Sequence, residues 1–175
     1  VKPADHKDLA LISNNDECFE PLSHPGLDQV KAFRTRKDIY GKDMTVVVTF
    51  NNKLYAAQVK SINNEINKCL EKLSVVSAKL EDRVAGRITK GKKPTMESIK
   101  RQASSILSGQ HMKKLIETDV SETKDIPVLT YSLKSAAFAE LADTYLGKNI
   151  IMTDNHDWTT VDIILTYRSQ YIIED

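Results

Sequence analysis

The sequence predicts an α+β fold in which antiparallel strands accompany a long helical hairpin. Three stretches carry that expectation. Val30 to Phe50 alternates and then enters the β-branched run Thr45-Val46-Val47-Val48-Thr49-Phe50. From Asn52 to about Val84, apolar residues recur at steps of four and three. Asn155 to Asp175 has a helical pattern whose apolar face ends in a carboxylate.

With 175 residues the chain is long enough for one domain with a real core. A net charge of +1 with 28% charged residues excludes neither nucleic-acid nor protein partners, because local patches matter more than the sum. Cys18 and Cys69 are far apart and form no motif, which points to a reducing, cytoplasmic setting. No apolar run approaches the length of a membrane span, so no membrane partner is expected. Val1 opens without a methionine or a signal pattern, and the last helix stops abruptly at Asp175; a piece of a longer protein is expected.

Val1 to Leu11 is short and mixed. Ser13 to Asp28 reads as a loop, with Asn14-Asn15, Pro21 and Pro25-Gly26. Asp5 with His6, and Asp16 with Glu17, lack metal-ligand spacing and read as surface groups. In the hairpin, Phe33, Thr35, Lys37 and Ile39 share one face. Ala32, Arg34, Arg36 and Asp38 share the other, and Gly41-Lys42-Asp43 supplies the turn. Arg34 and Arg36 suit either phosphate contact or a solvated strand face.

The four-three series is Tyr55, Val59, Ile62, Ile66, Cys69, Leu73, Val76 and Leu80, a heptad seam. Its nearest partner is a second helix, Met96 to Leu107, with Met96, Ile99, Ala103 and Ile106 in register. Thr95 starts that helix and Gly109 stops it. An intramolecular hairpin is the first reading and a dimeric coiled coil, hence a homodimer, the second. The connection is basic: Arg83, Arg87, Lys90, Lys92, Lys93, Lys100 and Arg101 are opposed between Arg83 and Arg101 only by Glu97. A cationic tip on a rigid stalk suits salt-dependent contact with a DNA backbone; a solvated loop is the plainer reading.

Beyond Gly109, His111 to Ile116 reads as a helical turn. Strands follow at Ile116 to Ser121 and Ile126 to Leu133, then a helix from Ser135 to Leu146 stopped by Gly147, then a buried strand from Asn149 to Thr153. His24, His111 and His156 read as surface groups. In the closing helix, Asp157 or Thr159 serves as the cap, and Thr159-x-x-Asp162 makes a capping box. Ile163, Tyr167, Gln170 and Glu174 fall on one face, flanked by Ile164 and Tyr171. A carboxylate ending such a stripe needs a cation, a metal or a shifted pKa, unless the helix frays into solvent.

The stretch GKNIIMTDN-x-DW, followed by TYR-x-Q-aromatic-x-x-ED, resembles prokaryotic insertion-sequence transposases of the DDE, RNase H-like class. Their signature is Tyr, two residues, Arg, three residues, Glu, six residues, Lys. Tyr167 and Glu174 have the family separation, Gln170 stands at the usual arginine position, and Arg168 is the nearest arginine. Looser similarity extends over VKPADHKDL, VKAFRTRKDIYGKDMTVVVTF and SGQHMKKLIE.

The resemblance implies an insertion region of an RNase H-like DDE domain together with its acid-bearing terminal helix. Residues 1–29 would be the end of the core and a loop. Residues 30–133 would be the insertion, and 134–175 the helix, strand and acid-bearing helix. It also implies Glu174 as a catalytic metal ligand, with Mg²⁺ or Mn²⁺ as cofactor in the full-length parent and not in this fragment. Tyr167, Arg168 and Gln170 would lie at duplex DNA of the transposon ends, and the tip residues Arg87, Lys90, Lys92 and Lys93 would be a further DNA contact. Trp158 would be a structural staple. The other two acids would lie upstream of Val1; Asp5 and Asp8 fall outside the family's motif positions. The fragment alone would be inactive. The rivals are a non-enzymatic helical-hairpin or coiled-coil module for interaction or DNA binding, and another RNase H-like nuclease.

Overall fold

The computed structural model describes residues 6–173, with side chains through Gln170. In order, it contains α1 (Lys7–Ala10), β1 (Glu20–Pro21), β2 (Val30–Ile39), β3 (Lys42–Asn51), α2 (Asn52–Val84) and α3 (Met96–Ile106). Then come α4 (Met112–Leu115), β4 (Ile116–Thr123), β5 (Ile126–Leu133), α5 (Ser135–Thr144), β6 (Lys148–Thr153) and α6 (Thr160–Ile173). The fold is α+β with antiparallel sheets. It has two compact units, 1–59 with 140–175, and 60–139. The β2–β3 hairpin, expected to open an insertion, shares its sheet with β6.

In the first unit, four strands run in the order β1-β2-β3-β6, every neighbouring pair antiparallel. The loop expected over Ser13 to Asp28 thus contributes β1, which pairs Glu20 with Ala32. Strand β3 is central and buried on both sides, which is why its sequence runs apolar without alternation. Val47 faces Leu27, Val30, Ala32 and Ile151, a layer closed by Ile163 and Ile164 of α6. Val46, Val48 and Phe50 face Leu9, Phe19 and Ile150, with Tyr55 of α2 packed beside them. Full burial of each of these valines is worth about 1.5–3 kcal/mol against leaving it in water.

The β2–β3 turn sits one position earlier than the sequence suggested. Ile39 pairs with Lys42, so Tyr40 and Gly41 form the turn, while Lys42 and Asp43 belong to β3. Both turn residues have positive φ, 54° and 78°, the requirement of a type I′ turn that matches strand twist. Helix α5 ends at Thr144, two residues before the expected Leu146, and Gly147 closes the turn that follows at φ +78°. A Cβ there would lie 2.7 Å from Phe50 and 2.8 Å from Tyr55, so only glycine fits.

Two contacts over long sequence distance tie the N-terminal segment into this unit. Buried Asn14 donates through Nδ2 to the carbonyls of Ala142 (3.0 Å) and Leu146 (3.3 Å), satisfying the end of α5. Lys148, 3% exposed, donates from Nζ to the carbonyls of Ala10 and Ile12 and lies 5.7 Å from the Phe19 ring centroid. Burial pushes its pKa down to about 8 against the pull of Asp143.

In the second unit the seam of α2 is buried at Ile66, Cys69, Leu73, Val76 and Leu80. The Cys69 thiol donates to the Ile106 carbonyl at 3.4 Å, and the Ser77 hydroxyl donates to the Leu129 carbonyl at 3.0 Å. The seam is therefore buried within the chain. Toward its N-terminal end, Tyr55, Val59 and Ile62 are only half-buried. Helix α3 starts on a capping box: Ser98 N–H donates to Thr95 Oγ1 (3.1 Å) and Thr95 N–H to Ser98 Oγ (3.0 Å). Strands β4 and β5 pair over eight residues each and turn through Lys124 and Asp125, both at positive φ.

Candidate nucleic-acid interface

The segment linking β6 to α6 is fixed from both sides. His156 Nδ1 and Thr45 Oγ1 are 2.8 Å apart. Arg34 donates to the carbonyls of His156 and Trp158, each at 2.7 Å. Thr159 then caps α6: the Asp162 N–H donates to its Oγ1 at 3.1 Å, and its own N–H donates to Asp162 Oδ2 at 3.1 Å. The side-chain and backbone donors of Thr159 hold the Asp162 carboxyl below its usual range. The expected capping box is present, although α6 begins at Thr160 and not at Asn155.

The inner face of α6 is buried through Ile163 and Ile164, with Tyr167 partly buried against the same cluster. Tyr167 therefore contributes to packing. Arg168 is exposed and donates to the Gly26 carbonyl at 3.2 Å. Gln170 is exposed, so the stripe expected to read as core leaves the interior before that position. Trp158 is 39% exposed. Glu174, the expected catalytic and metal-binding acid, lies outside the described residues.

At the tip of the helical connection, the cations divide into two groups. Arg87 pairs with Asp82, Nη2 to Oδ1 at 2.6 Å, so its charge is answered by the residue just before Arg83. Arg83 donates to the Lys90 carbonyl at 3.2 Å and bridges the tip loop. Lys90, Lys92 and Lys93 are exposed, and among the described residues no acidic side chain pairs with them. Of the expected tip contacts, these three lysines stand without an acidic partner among the described residues, and Arg87 is in an exposed ion pair with Asp82. The two hairpin arginines, open to phosphate contact on the sequence, are both engaged: Arg34 on the loop before α6, and Arg36 with Asp43.

The histidines depart from expectation, since His24, His111 and His156 are all half-buried. Burial, and then Lys114, lower the His111 pKa. Sequence reasoning also missed Lys148 and the clamp by Arg34; neither leaves a periodic signal. Among the described residues, no group of three or more His, Cys, Asp or Glu side chains is placed to hold a metal ion, so no step through Mg²⁺ or Mn²⁺ is derived from them. Also among the described residues, no helix is long and apolar enough to cross a membrane.

Compared with protein-family models, curated proteins and solved structures, the chain matches none.

Proposed function

We propose that this chain is part of the catalytic region of a prokaryotic, cytoplasmic DDE transposase that cuts and joins transposon-end duplex DNA. The observation that carries the reading is the strand–loop–helix unit β6–α6. A buried strand ends at Thr153-Asp154-Asn155, Arg34 and Thr45 fix the loop, and a boxed cap starts a helix whose inner face packs on the sheet. A residue seven positions after Tyr167 would return to within about 20° of the same helical direction. Glu174 has that spacing. Its carboxylate would supply one oxygen ligand to a pair of hard divalent cations, which stabilise the attacking and leaving oxygens of a phosphodiester transfer. The remaining carboxylates would come from sequence outside this chain.

Lys90, Lys92 and Lys93 would add sequence-independent contacts to the phosphate backbone. A non-enzymatic coiled-coil module, or a homodimer through α2, is less well supported, because Ile66, Cys69, Leu73, Val76 and Leu80 are buried within the chain.

The test is cleavage of end DNA by the intact parent protein. Glu174→Gln should lower Mg²⁺- or Mn²⁺-dependent cleavage by roughly 1,000-fold or more and leave DNA binding in place. Cleavage at the parent rate would refute the assignment. The chain by itself should not nick duplex DNA, and metal-dependent nicking by it would equally refute the reading.

A further inference from the structure

Between α2 and α3, from the Cys69–Ile106 contact toward the tip, lies an open groove of about 640 Å³. Its floor is aliphatic, with Val76, Leu80 and Ile99 at 8%, 4% and 5% exposure, and Val75 standing 50% exposed on its lip. Its edge is cationic: Lys72, Lys79 and Arg83 on α2, and Lys92 on the connecting loop. Glu71 is the one acidic residue in the lining.

Lys72, Lys79 and Arg83 are spaced i, i+7 and i+11, which sets them in one line along about 16 Å of helix. The contact from Arg83 to the Lys90 carbonyl pins the end of that line, so less side-chain freedom is lost when an anion arrives. An aliphatic floor beside a row of cations is complementary to a helix that carries an apolar stripe flanked by acids. A helix in a groove buries its i, i+3/i+4, i+7 anchors on such a floor. Nucleic acid fits less well, because a phosphate chain gains nothing from valine and leucine and this floor has no aromatic ring on which a base could stack.

We propose that this groove docks an acidic amphipathic helix of a partner protein through residues other than the tip lysines Lys90 and Lys93; Lys92 stands at the edge of both surfaces. The complex is held by apolar anchors over Val75, Val76 and Leu80 and by carboxylates facing Lys72, Lys79 and Arg83.

The experiment uses a fluorescent synthetic helix of about 16 residues, with Leu at i, i+4, i+7 and i+11 and Glu on the flanks. Its anisotropy is followed as the chain is added at about 0.15 M salt. Saturable binding is expected in the range of about 10 μM. The variant Val75→Glu, and separately the pair Lys72→Glu with Lys79→Glu, should each weaken it about tenfold or more. All three positions are exposed, so the variants should keep the parent thermal transition. A peptide with its Glu residues changed to Lys should not bind, and the affinity for a duplex of about 20 base pairs should be the same for all variants. The proposal is overturned if the peptide does not bind, or if Val75→Glu binds it as well as the parent does. It is equally overturned if duplex DNA displaces the peptide and the two lysine reversals weaken both ligands alike, which would make the groove a nucleic-acid surface. If the chain binds no DNA while the peptide results hold, the transposase reading fails at the tip and the groove stands.

Discussion

In the sheet unit, four basic side chains are turned onto the chain itself. Arg34 holds two carbonyls before α6, Arg36 pairs with Asp43, Lys37 with Asp8, and Lys148 reaches the carbonyls of Ala10 and Ile12. In the helical unit, Lys90, Lys92 and Lys93 extend from a short connection into solvent, and Lys72 and Lys79 line an open groove. The residue types are the same and these two sets are used differently, although Arg87 with Asp82 and Lys134 with Glu117 are paired inside the helical unit as well. A cation held by internal carbonyls, as Lys148 and Arg34 are, has little left for a ligand, whereas the exposed pairs Arg36–Asp43 and Lys37–Asp8 add little to stability. A cation held out by a rigid helix and left unpaired contributes little to folding and acts on whatever anion approaches. Under the proposals above, the contrast would give structure to one set and recognition to the other, and it breaks if substitutions in the two sets give the same readout.

The largest effect is expected at the tip. Reversing Lys90, Lys92 and Lys93 to Glu should lower affinity for duplex DNA on the order of 100-fold near 0.1 M salt and reduce the salt slope by about 3. The thermal transition should be unchanged. An unaltered affinity would remove the tip from the DNA reading, and a large loss of stability would erase the contrast between the units.

Lys148 gives the next effect, and it is one of pH. Its folded pKa, about 8, lies below the ordinary 10.5, chiefly because burial disfavours the ammonium. Below about pH 8 both folded and unfolded chains hold this proton, and the burial cost is present in full. Between about 8 and 10.5 the unfolded chain keeps a proton that the folded chain has lost, so this residue raises stability as pH rises. The Cys18 thiol, on an exposed residue but pushed up to about 11 by partial desolvation of the sulfur and by Asp16, works in the opposite direction above pH 9. The informative quantity is therefore the parent minus Lys148→Met. Denaturant unfolding should show that difference growing by something on the order of 2 kcal/mol across the window, a figure discounted for water near the ammonium. A difference independent of pH would show that Lys148 is not buried as described.

Arg34→Ala should act on stability alone. It removes donors to His156 and Trp158 at the start of α6, at a cost of about 1–2 kcal/mol in unfolding free energy. Duplex DNA affinity should stay within about twofold of the parent. A drop in affinity matching that of the tip variant would mean that Arg34 faces DNA and would reverse its assignment.

How much of this was legible in the sequence follows the range of the interactions. Periods reveal local structure, so the pattern places α2 over Asn52 to about Val84 and also places β5 and the Thr159–Asp162 box, while β4 runs two residues past the expected Ser121, to Thr123. The β2–β3 turn was misplaced by one residue because Tyr40 adopts a positive φ more usual for Asn or Gly. Lys148 and Asn14 gave no signal, since their partners lie more than a hundred residues away and nothing in a neighbouring window records them. The candidate site was legible only in part. The basic run around Lys90 can be read directly, whereas the pairing of Arg87 with Asp82 and the engagement of Arg34 depend on geometry.

The smallest effect compares one device used in both units. Helices α3 and α6 each start on a box, Thr95 with Ser98 and Thr159 with Asp162. Losing a threonine cap costs about 1 kcal/mol in general. The local settings differ: α6 is also held by Arg34 and by Ile163 and Ile164 on the sheet, whereas α3 emerges from the lysine-bearing connection. If the helical unit opens locally at its tip, Thr95→Ala should increase amide exchange across the first turn of α3 by about fivefold, the equivalent of about 1 kcal/mol, and α6 should be unaffected. Thr159→Ala should lower global stability by a similar amount without selective exchange at the start of α6, because that turn opens only with the sheet. Equal local exchange after both substitutions would show that the two helix starts are equally labile and that the rigid clamp before α6 is absent.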